Sequence, residues 1–186
     1  MGYTFAKGMN RQETVNHLTR PSSSTTSQGI FRSTRTLAKS LRGSQLWVVT
    51  EVTDRDLSDG TETVENVINL HLLDTYAHGC GYQSFGEEDR PYHYDCPLKY
   101  LDMAPVKCQE WRDGVRQRLA EKAAKRQRHK SAQVGEYREV LNADIPWVKI
   151  VAVAGRKVHG EYRGTVYNIP PRFMGEVIDP ARLQAA

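Results

Sequence analysis

The sequence predicts an α+β protein with an N-terminal antiparallel sheet and helices, a long basic connecting helix and a small C-terminal β module. Two β-branched runs on either side of an Asp/Gly-rich turn predict the sheet, helical spacing of apolar residues predicts the long helix, and short β-like runs predict the final module. The 186 residues are enough for one domain and a small appended one. We therefore divide the chain into an α+β domain at residues 1–104, the basic helix at 105–131 and the β-rich module at 132–186.

The first segment begins with a short helix and a polar run. Asn10 stands three residues before Glu13, which is the pattern of a capping box, so a helix is expected to run to Thr19. The Ser/Thr-rich run at 22–28 has no apolar periodicity and predicts a flexible loop.

A hairpin and an irregular segment follow. The runs 46–53 and 64–73 are rich in β-branched and apolar residues, and the turn between them predicts two antiparallel strands. Residues 79–102 combine glycine, aromatic and acidic side chains without helical or strand periodicity, which predicts an ordered loop. Pro97 is expected to close this loop at the first turn of a helix.

The long helix is expected to begin near Val106. Apolar residues recur at helical spacing in its first half, at Trp111, Val115, Leu119 and Ala123. Its second half, 121–130, has no apolar side chain larger than alanine. Positive charge this dense is typical of three situations. The segment lies against a phosphate backbone, it is a solvated helix end, or it contacts an acidic protein surface. The residues predicted to contact nucleic acid are Arg116, Arg118, Lys122, Lys125, Arg126, Arg128 and Lys130.

The module at 132–186 contains three short β-like runs, at 134–140, 147–153 and 164–169. They predict a small antiparallel sheet or a partly open barrel, with loops at 142–146 and 154–160 between the strands. Such a module fits either a binding role or a purely structural one. A positive rim would come from Arg156, Lys157, His159, Arg163 and Arg172.

The net charge of +4 conceals a segregation of charge along the chain. Residues 1–42 hold seven Lys/Arg against one Glu, residues 43–102 hold three against twelve acidic residues, and residues 111–130 hold eight against two. A basic patch attracts phosphate backbones, whereas an acidic patch mimics nucleic acid or binds a basic protein groove. In a third interpretation the two kinds of segment neutralise each other in the fold.

Metal-ligating side chains occur in one short region. His78, Cys80, His93 and Cys96 are residue types that bind Zn²⁺, but their spacing matches no common zinc module. An alternative function is therefore a zinc-binding protein or a metal-dependent enzyme centred on the loop that holds His78, Asp95 and Cys96. The favoured interpretation has no metal, no cofactor and no catalytic residue, and the cysteines, an odd number, are expected to be reduced.

Membrane and catalytic signals are missing from the sequence. No apolar run approaches the roughly 18 residues of a membrane-spanning helix, and residues 1–7 lack the apolar core of a signal peptide. A phosphate-cradling glycine loop, an H-E-x-x-H pair and a Ser-His-Asp order are also absent. We expect a soluble, cytoplasmic protein without a membrane partner, and the sequence leaves its oligomeric state open.

Several short motifs lie within residues 1–115. They are Met1-Gly2-Tyr3-Thr4, Gly81-Tyr82, Pro91-Tyr92, Tyr94-Asp95-Cys96-Pro97, Leu101-Asp102 and Glu110-Trp111-Arg112. Together they resemble a family of phage- and conjugative-plasmid-encoded proteins with no assigned activity. The chain departs from that family at residues 83–88, where a run like Lys-Asp-Met-Asp-Glu is expected. The resemblance implies a mobile-element setting and no particular chemistry.

These observations predict a non-enzymatic accessory protein of a mobile genetic element. Nucleic acid is its expected ligand, bound through the basic helix. A variant of this hypothesis is an anti-defence inhibitor that binds a nucleic-acid-binding host protein complex through the acidic surface of residues 51–95.

Overall fold

A computed structural model describes residues 3–89 and 93–183. The chain forms two compact units, Met1–Arg116 and Gln117–Ala186. The described residues contain two antiparallel sheets together with helices, so the α+β class is confirmed. The division into 1–104, 105–131 and 132–186 stays a prediction.

Six strands build the sheet of the first unit in the described part of the chain. They are β1 (Tyr3–Lys7), β2 (Ser22–Thr25), β3 (Ile30–Arg42), β4 (Gln45–Asp56), β5 (Glu62–Tyr76) and β6 (Gly79–Gly86). Their order across the sheet is β1-β6-β5-β4-β3-β2, and every neighbouring pair is antiparallel. The predicted hairpin is confirmed as β4 and β5, in which Val49 lies opposite Ile68.

Two loop predictions for this unit are wrong. The polar run at 22–28 contributes the edge strand β2, because an exposed edge needs no apolar face and the Ser22 hydroxyl bonds that of Thr34 at 2.8 Å. The segment predicted as a loop from residue 79 begins instead with β6, which pairs with strands on both sides. Gly81 suits this strand because a side chain there would collide with the Tyr3 hydroxyl on β1.

Helices pack against the sheet of the first unit. The capping box of α1 (Arg11–Thr19) is confirmed, since Asn10 Oδ1 accepts from the Glu13 amide at 3.0 Å and Glu13 Oε2 accepts from the Asn10 amide at 2.8 Å. Val15 of α1 is buried with Leu46 and Val48 of β4.

Side chains alternate across β4, so Trp47 points away from the face that α1 covers. Its ring stacks on Trp111 with centroids 6.0 Å apart. Trp111 belongs to α3 (Gln109–Lys130), which follows the single-turn helix α2 (Leu98–Leu101). The two faces of β4 are therefore buried by different helices.

The start of α3 differs from the prediction. The helix begins at Gln109 rather than near Val106. Glu87 Oε1 accepts hydrogen bonds from the backbone amides of Lys107 and Cys108 at 3.2 and 3.0 Å. Glu87, from a distant part of the chain, thereby supplies a hydrogen-bond partner to two backbone amides that precede the helix.

Five strands form the sheet of the second unit among its described residues. They are β7 (Tyr137–Val140), β8 (Trp147–Ala154), β9 (Lys157–Tyr162), β10 (Thr165–Asn168) and β11 (Met174–Ile178), in the order β10-β9-β8-β7-β11. A 3-10 turn, Pro171–Phe173, precedes β11, and α4 (Pro180–Leu183) follows it. The buried core contains Val148, Ile150, Val158 and Met174.

Two strands of this sheet were missed by the sequence prediction. Residues 154–160 were predicted as a loop, yet they include the start of β9. The glycine in β9 weakens a strand signal, but Gly160 is needed there because a Cβ would lie 2.5 Å from a methyl group of Val148. β11 is an edge strand whose register shifts between Met174 and Val177, so apolar and polar residues do not alternate regularly along it.

His71 on β5 is expected to make the first unit sensitive to acid. Its Nδ1 lies 2.7 Å from the Ser84 hydroxyl, and burial lowers the pKa of this imidazole to about 4. The unfolded chain binds a proton at a pKa of about 6.5, so a penalty for folding appears as the pH falls from about 6.5 towards 4.

We expect the His71→Gln variant to lose less stability than the wild type when the pH is lowered from about 7.5 to about 5. Urea unfolding at the two pH values measures the difference. An equal loss in the two proteins would contradict a role for His71 in acid sensitivity.

Candidate nucleic-acid interface

A groove lined by positive side chains lies in the second unit, between the second half of α3 and the 3-10 turn. It has a volume of about 480 Å³, and we call it the cationic groove. Its lining residues are Lys122, Lys125, Arg126, Pro170, Pro171 and Arg172. Four of these six residues carry a positive charge and none carries a negative one.

Helix geometry brings three of the cations together. Residues three and four apart lie on the same side of an α-helix, so Lys122, Lys125 and Arg126 form one stripe. Lys122 and Lys125 are half-buried and Arg126 is exposed. The aliphatic stem of a half-buried lysine packs along the protein surface while its charged end remains near the solvent.

The 3-10 turn contributes the fourth cation on a stiff support. Pro170 and Pro171 restrict the backbone at the start of the turn. The guanidinium carbon of Arg172 lies 4.6 Å from the centre of the Phe173 ring. This cation–π contact orients an otherwise exposed side chain.

Contacts within the second unit hold α3 against the turn. The buried His129 donates from Nε2 to the Ile169 carbonyl at 3.0 Å, and Ala132 enters the core of the sheet. Arg128 forms an ion pair with Glu176 on β11, with an N–O distance of 2.5 Å. The groove is therefore formed by packed elements and not by a mobile helix end.

The other predicted contact residues have different surroundings. Arg116 lies in the first unit and pairs with Asp113 at 2.9 Å. Arg128 is engaged with Glu176, which reduces its availability to a ligand. Arg118 and Lys130 are exposed on α3 but do not line the groove. From the sequence Arg172 was predicted only on a positive rim, because nothing in the sequence shows that the turn packs beside α3.

Charge is distributed unequally between the units. Residues 117–186 hold thirteen Lys/Arg against seven acidic residues, and residues 1–116 hold thirteen against fifteen. The positive charge of the second unit therefore exceeds what its own acidic residues neutralise. This excess is the condition for attracting a polyanion.

Ion pairs offset the acidic residues of the first unit. An acidic cavity of about 370 Å³ is lined by Asp54, Glu65, Glu87, Glu88 and Asp89. Asp54 pairs with Arg32 at 2.6 Å, Glu65 with Lys107 at 3.0 Å, and Glu87 with Arg112 at 2.6 Å. Three of the five carboxylates thus have a cationic partner, and the interpretation of mutual neutralisation applies within this unit.

Glu87 has the most complete set of partners among these carboxylates. It is 4% exposed and accepts hydrogen bonds from Arg112 and from two backbone amides. Burial alone would raise the pKa of Glu87, but these hydrogen bonds lower it below its ordinary value. An ionised carboxylate whose oxygens are occupied by these hydrogen bonds has a structural role: it connects the chain around Glu87 to the start of α3.

The four predicted metal donors lie in separate environments. Cys80 and Cys96 are fully buried, their thiols lie 3.6 and 3.7 Å from backbone carbonyl oxygens of the following residues, and burial raises the pKa of Cys96 to about 12. His93 Nδ1 lies 3.3 Å from the Gln45 side-chain amide, and the backbone carbonyl of His78 accepts from the Gly8 amide. Within residues 3–89 and 93–183, no three His, Cys, Asp or Glu side chains are grouped so that they could hold a metal ion.

Purified protein is expected to contain no stoichiometric zinc. Because the donors are dispersed, a chelator should leave the thermal unfolding temperature unchanged, whereas a structural metal would contribute directly to folding. Elemental analysis and unfolding with and without EDTA measure this. One zinc ion per chain would contradict the expectation.

The Tyr94-Asp95-Cys96-Pro97 motif packs against the start of α3. The Trp111 indole donates to the His93 carbonyl at 3.2 Å. Gly114 stands inside the helix because a Cβ there would lie 2.5 Å from the Tyr94 ring. The motif therefore has a packing role in the first unit. Pro91 and Tyr92, also part of the resemblance, lie outside the described residues.

Comparison with protein-family models, with curated proteins and with solved structures finds no match for this chain. Among the described residues, no helix has both the length and the apolar character required to cross a membrane.

Proposed function

We propose that this protein is a non-enzymatic nucleic-acid-binding protein that holds phosphate groups in its cationic groove. The observation that carries the proposal is the lining of the groove, whose described residues are four cations and two prolines. Lysine and arginine that replace the counterions of a phosphate backbone are the main source of sequence-independent affinity for nucleic acid.

The arrangement of the groove supports binding better than a solvated helix end would. Lys125 and Arg126 come from α3, whereas Arg172 comes from a turn roughly fifty residues later in the chain. The close placement of like charges costs free energy in the unliganded protein, and an anion relieves that repulsion. Backbone phosphates supply such an anion without any base contact, so binding is expected to be independent of the nucleotide sequence.

The proposed setting is the cytoplasm of a host cell that carries a mobile genetic element. This part of the proposal rests on the resemblance of residues 1–115 to phage- and plasmid-encoded proteins. The variant hypothesis, an anti-defence inhibitor with an acidic surface at 51–95, is less favoured because Arg32, Arg35, Lys107 and Arg112 pair with acidic residues there.

Binding of labelled DNA and RNA across a series of salt concentrations tests the proposal. Wild-type protein should bind both near 100 mM salt, at which the Debye length is about 10 Å, and the logarithm of the affinity should fall linearly with the logarithm of the salt concentration. Absence of salt-dependent binding would contradict the proposal. The acidic-surface hypothesis would then be the one to test, by nuclease-treated capture of basic host proteins.

A further inference from the structure

Three aromatic residues lie together on the sheet of the second unit, and none of them lines the cationic groove. Tyr137 is on β7, Trp147 is at the start of β8 and Tyr162 is at the end of β9. The ring centroids of Tyr137 and Trp147 are 5.6 Å apart, and those of Trp147 and Tyr162 are 5.2 Å apart. All three side chains are half-buried. We call this set the aromatic platform.

Tyr137 and Trp147 of the aromatic platform lie outside the main core of the sheet, and the Tyr162 ring contacts Trp147 from the edge of that core. Val148 and Ile150 on β8 are fully buried, and Trp147 alternates with them, so its side chain leaves the strand on the opposite face. Of the three rings, only Tyr162 packs against the core in the described part of this unit. Neighbouring rings therefore position Trp147 and leave part of its surface accessible.

Charged residues adjoin the rings on both sides. Lys149 Nζ lies 5.9 Å from the centre of the Tyr137 ring, and the guanidinium carbon of Arg163 lies 5.2 Å from the centre of the Tyr162 ring. Two carboxylates interrupt this positive charge, because Glu139 stands opposite Trp147 and Glu161 opposite Lys149 in the sheet. A surface of rings with isolated cations does not provide the continuous row of phosphate contacts that a duplex requires.

We propose that the aromatic platform stacks unpaired bases of a single-stranded nucleic acid. This inference rests on the proposed function and adds the class of ligand. Proteins that bind single strands combine aromatic stacking surfaces with nearby cations, and every base offers a face for stacking. Bases in a duplex are already stacked on each other, so a single strand of DNA or RNA should bind more tightly than a duplex of the same sequence.

Tryptophan fluorescence tests the inference directly. Trp47 and Trp111 are 1% and 3% exposed, which leaves Trp147 as the accessible tryptophan of the three. Titration with a single strand of about 20 nucleotides should quench the emission, because a stacked base quenches an indole, and anisotropy of a labelled strand should report binding over the same range. The duplex should quench much less.

Substitutions at Trp147 separate stacking from backbone binding. Trp147→Phe keeps a ring and should retain most of the affinity while the quenching disappears. Trp147→Ala should weaken single-strand binding roughly 5- to 150-fold, since stacking of one base contributes about 1–3 kcal/mol and 1.4 kcal/mol is tenfold. Tyr76→Ala, which removes an exposed ring from the first unit, is the matched control and should bind as the wild type does.

Two outcomes distinguish failure of this inference from failure of the proposed function. Salt-dependent binding of the strand with unchanged tryptophan emission would overturn the aromatic platform and leave the cationic groove as the binding site. Absence of binding by anisotropy would overturn both. Quenching that persists in Trp147→Phe would also overturn the role of the platform.

Discussion

Replacement of Arg112 by methionine should destabilise the first unit by about 3–5 kcal/mol, because it leaves a buried carboxylate without its cationic partner. Arg112 is 2% exposed and forms a two-bond ion pair with Glu87, at 2.6 and 3.0 Å. It also donates to the carbonyl oxygens of Leu101, Ala104 and Pro105. The substitution would therefore break a network that ties the start of α3 to three other segments.

Urea unfolding followed by tryptophan fluorescence measures this effect. In a Trp147→Phe background the remaining tryptophans, Trp47 and Trp111, both lie in the first unit, so the signal reports that unit alone. Arg116→Met is the matched control on the same helix. Its partner is Asp113, the two side chains are 47% and 61% exposed, and the expected change is within about 0.5 kcal/mol. Equal effects of the two substitutions would contradict a special role for the buried pair.

The destabilisation by Arg112→Met should also depend on pH. In the wild type, ionised Glu87 contributes stability above its unfolded pKa of about 4.3, and this stability is lost as the pH falls through the lower folded pKa. Without Arg112, burial dominates and the pKa of Glu87 rises. The difference in stability between variant and wild type should therefore be largest near neutral pH and become smaller on acidification.

The variant Lys125→Gln/Arg126→Gln/Arg172→Gln should lose much of the salt dependence of nucleic-acid binding. These three residues belong to the cationic groove, and each phosphate contact contributes about 0.7–0.9 to the slope of log affinity against log salt. Loss of all three should flatten the slope by roughly 2–3 units and weaken binding alike for all sequences. Folding should change little, because the described ion pairs and the core of the sheet include none of the three side chains, and Arg172 loses only its cation–π contact with Phe173.

A control variant removes the same charge elsewhere in the second unit. Arg156, Lys157 and Arg182 are exposed and do not line the groove, so their joint replacement by glutamine should change the slope by less than about one unit. Equal losses in the two variants would show that net charge, and not the groove, determines binding. Circular dichroism checks that both variants are folded.

Local signals in the sequence predicted part of the first unit correctly. The capping box at Asn10 and Glu13 and the hairpin of β4 and β5 depend on residues close in the chain, and both are present. The strands β2 and β6 could not be predicted in the same way. The first has only polar residues and the second has three glycines, and both are strands because neighbouring strands supply their hydrogen-bond partners.

The candidate site, like the fold, could be predicted from the sequence only in part. The sequence showed a dense group of cations on one helix, which made Lys122, Lys125 and Arg126 candidates. It could not show that Arg128 would pair with Glu176 or that Arg172 would join the groove, because both depend on the packing of α3 against distant residues. Trp147 was not a candidate, because the rings beside it, Tyr137 and Tyr162, come from other strands and only the tertiary structure brings them together.

The sequence by itself determined the α+β class, the capped first helix, the central hairpin and the concentration of positive charge between residues 111 and 130. These properties arise from interactions over a few residues and from composition. The tertiary structure decided which charges meet: it pairs Glu87 with Arg112 in a buried site and brings four cations from α3 and the 3-10 turn together along the groove. Only packing decides such matters, because Coulomb and hydrogen-bond energies depend on distances of a few ångströms between groups that are far apart in the chain.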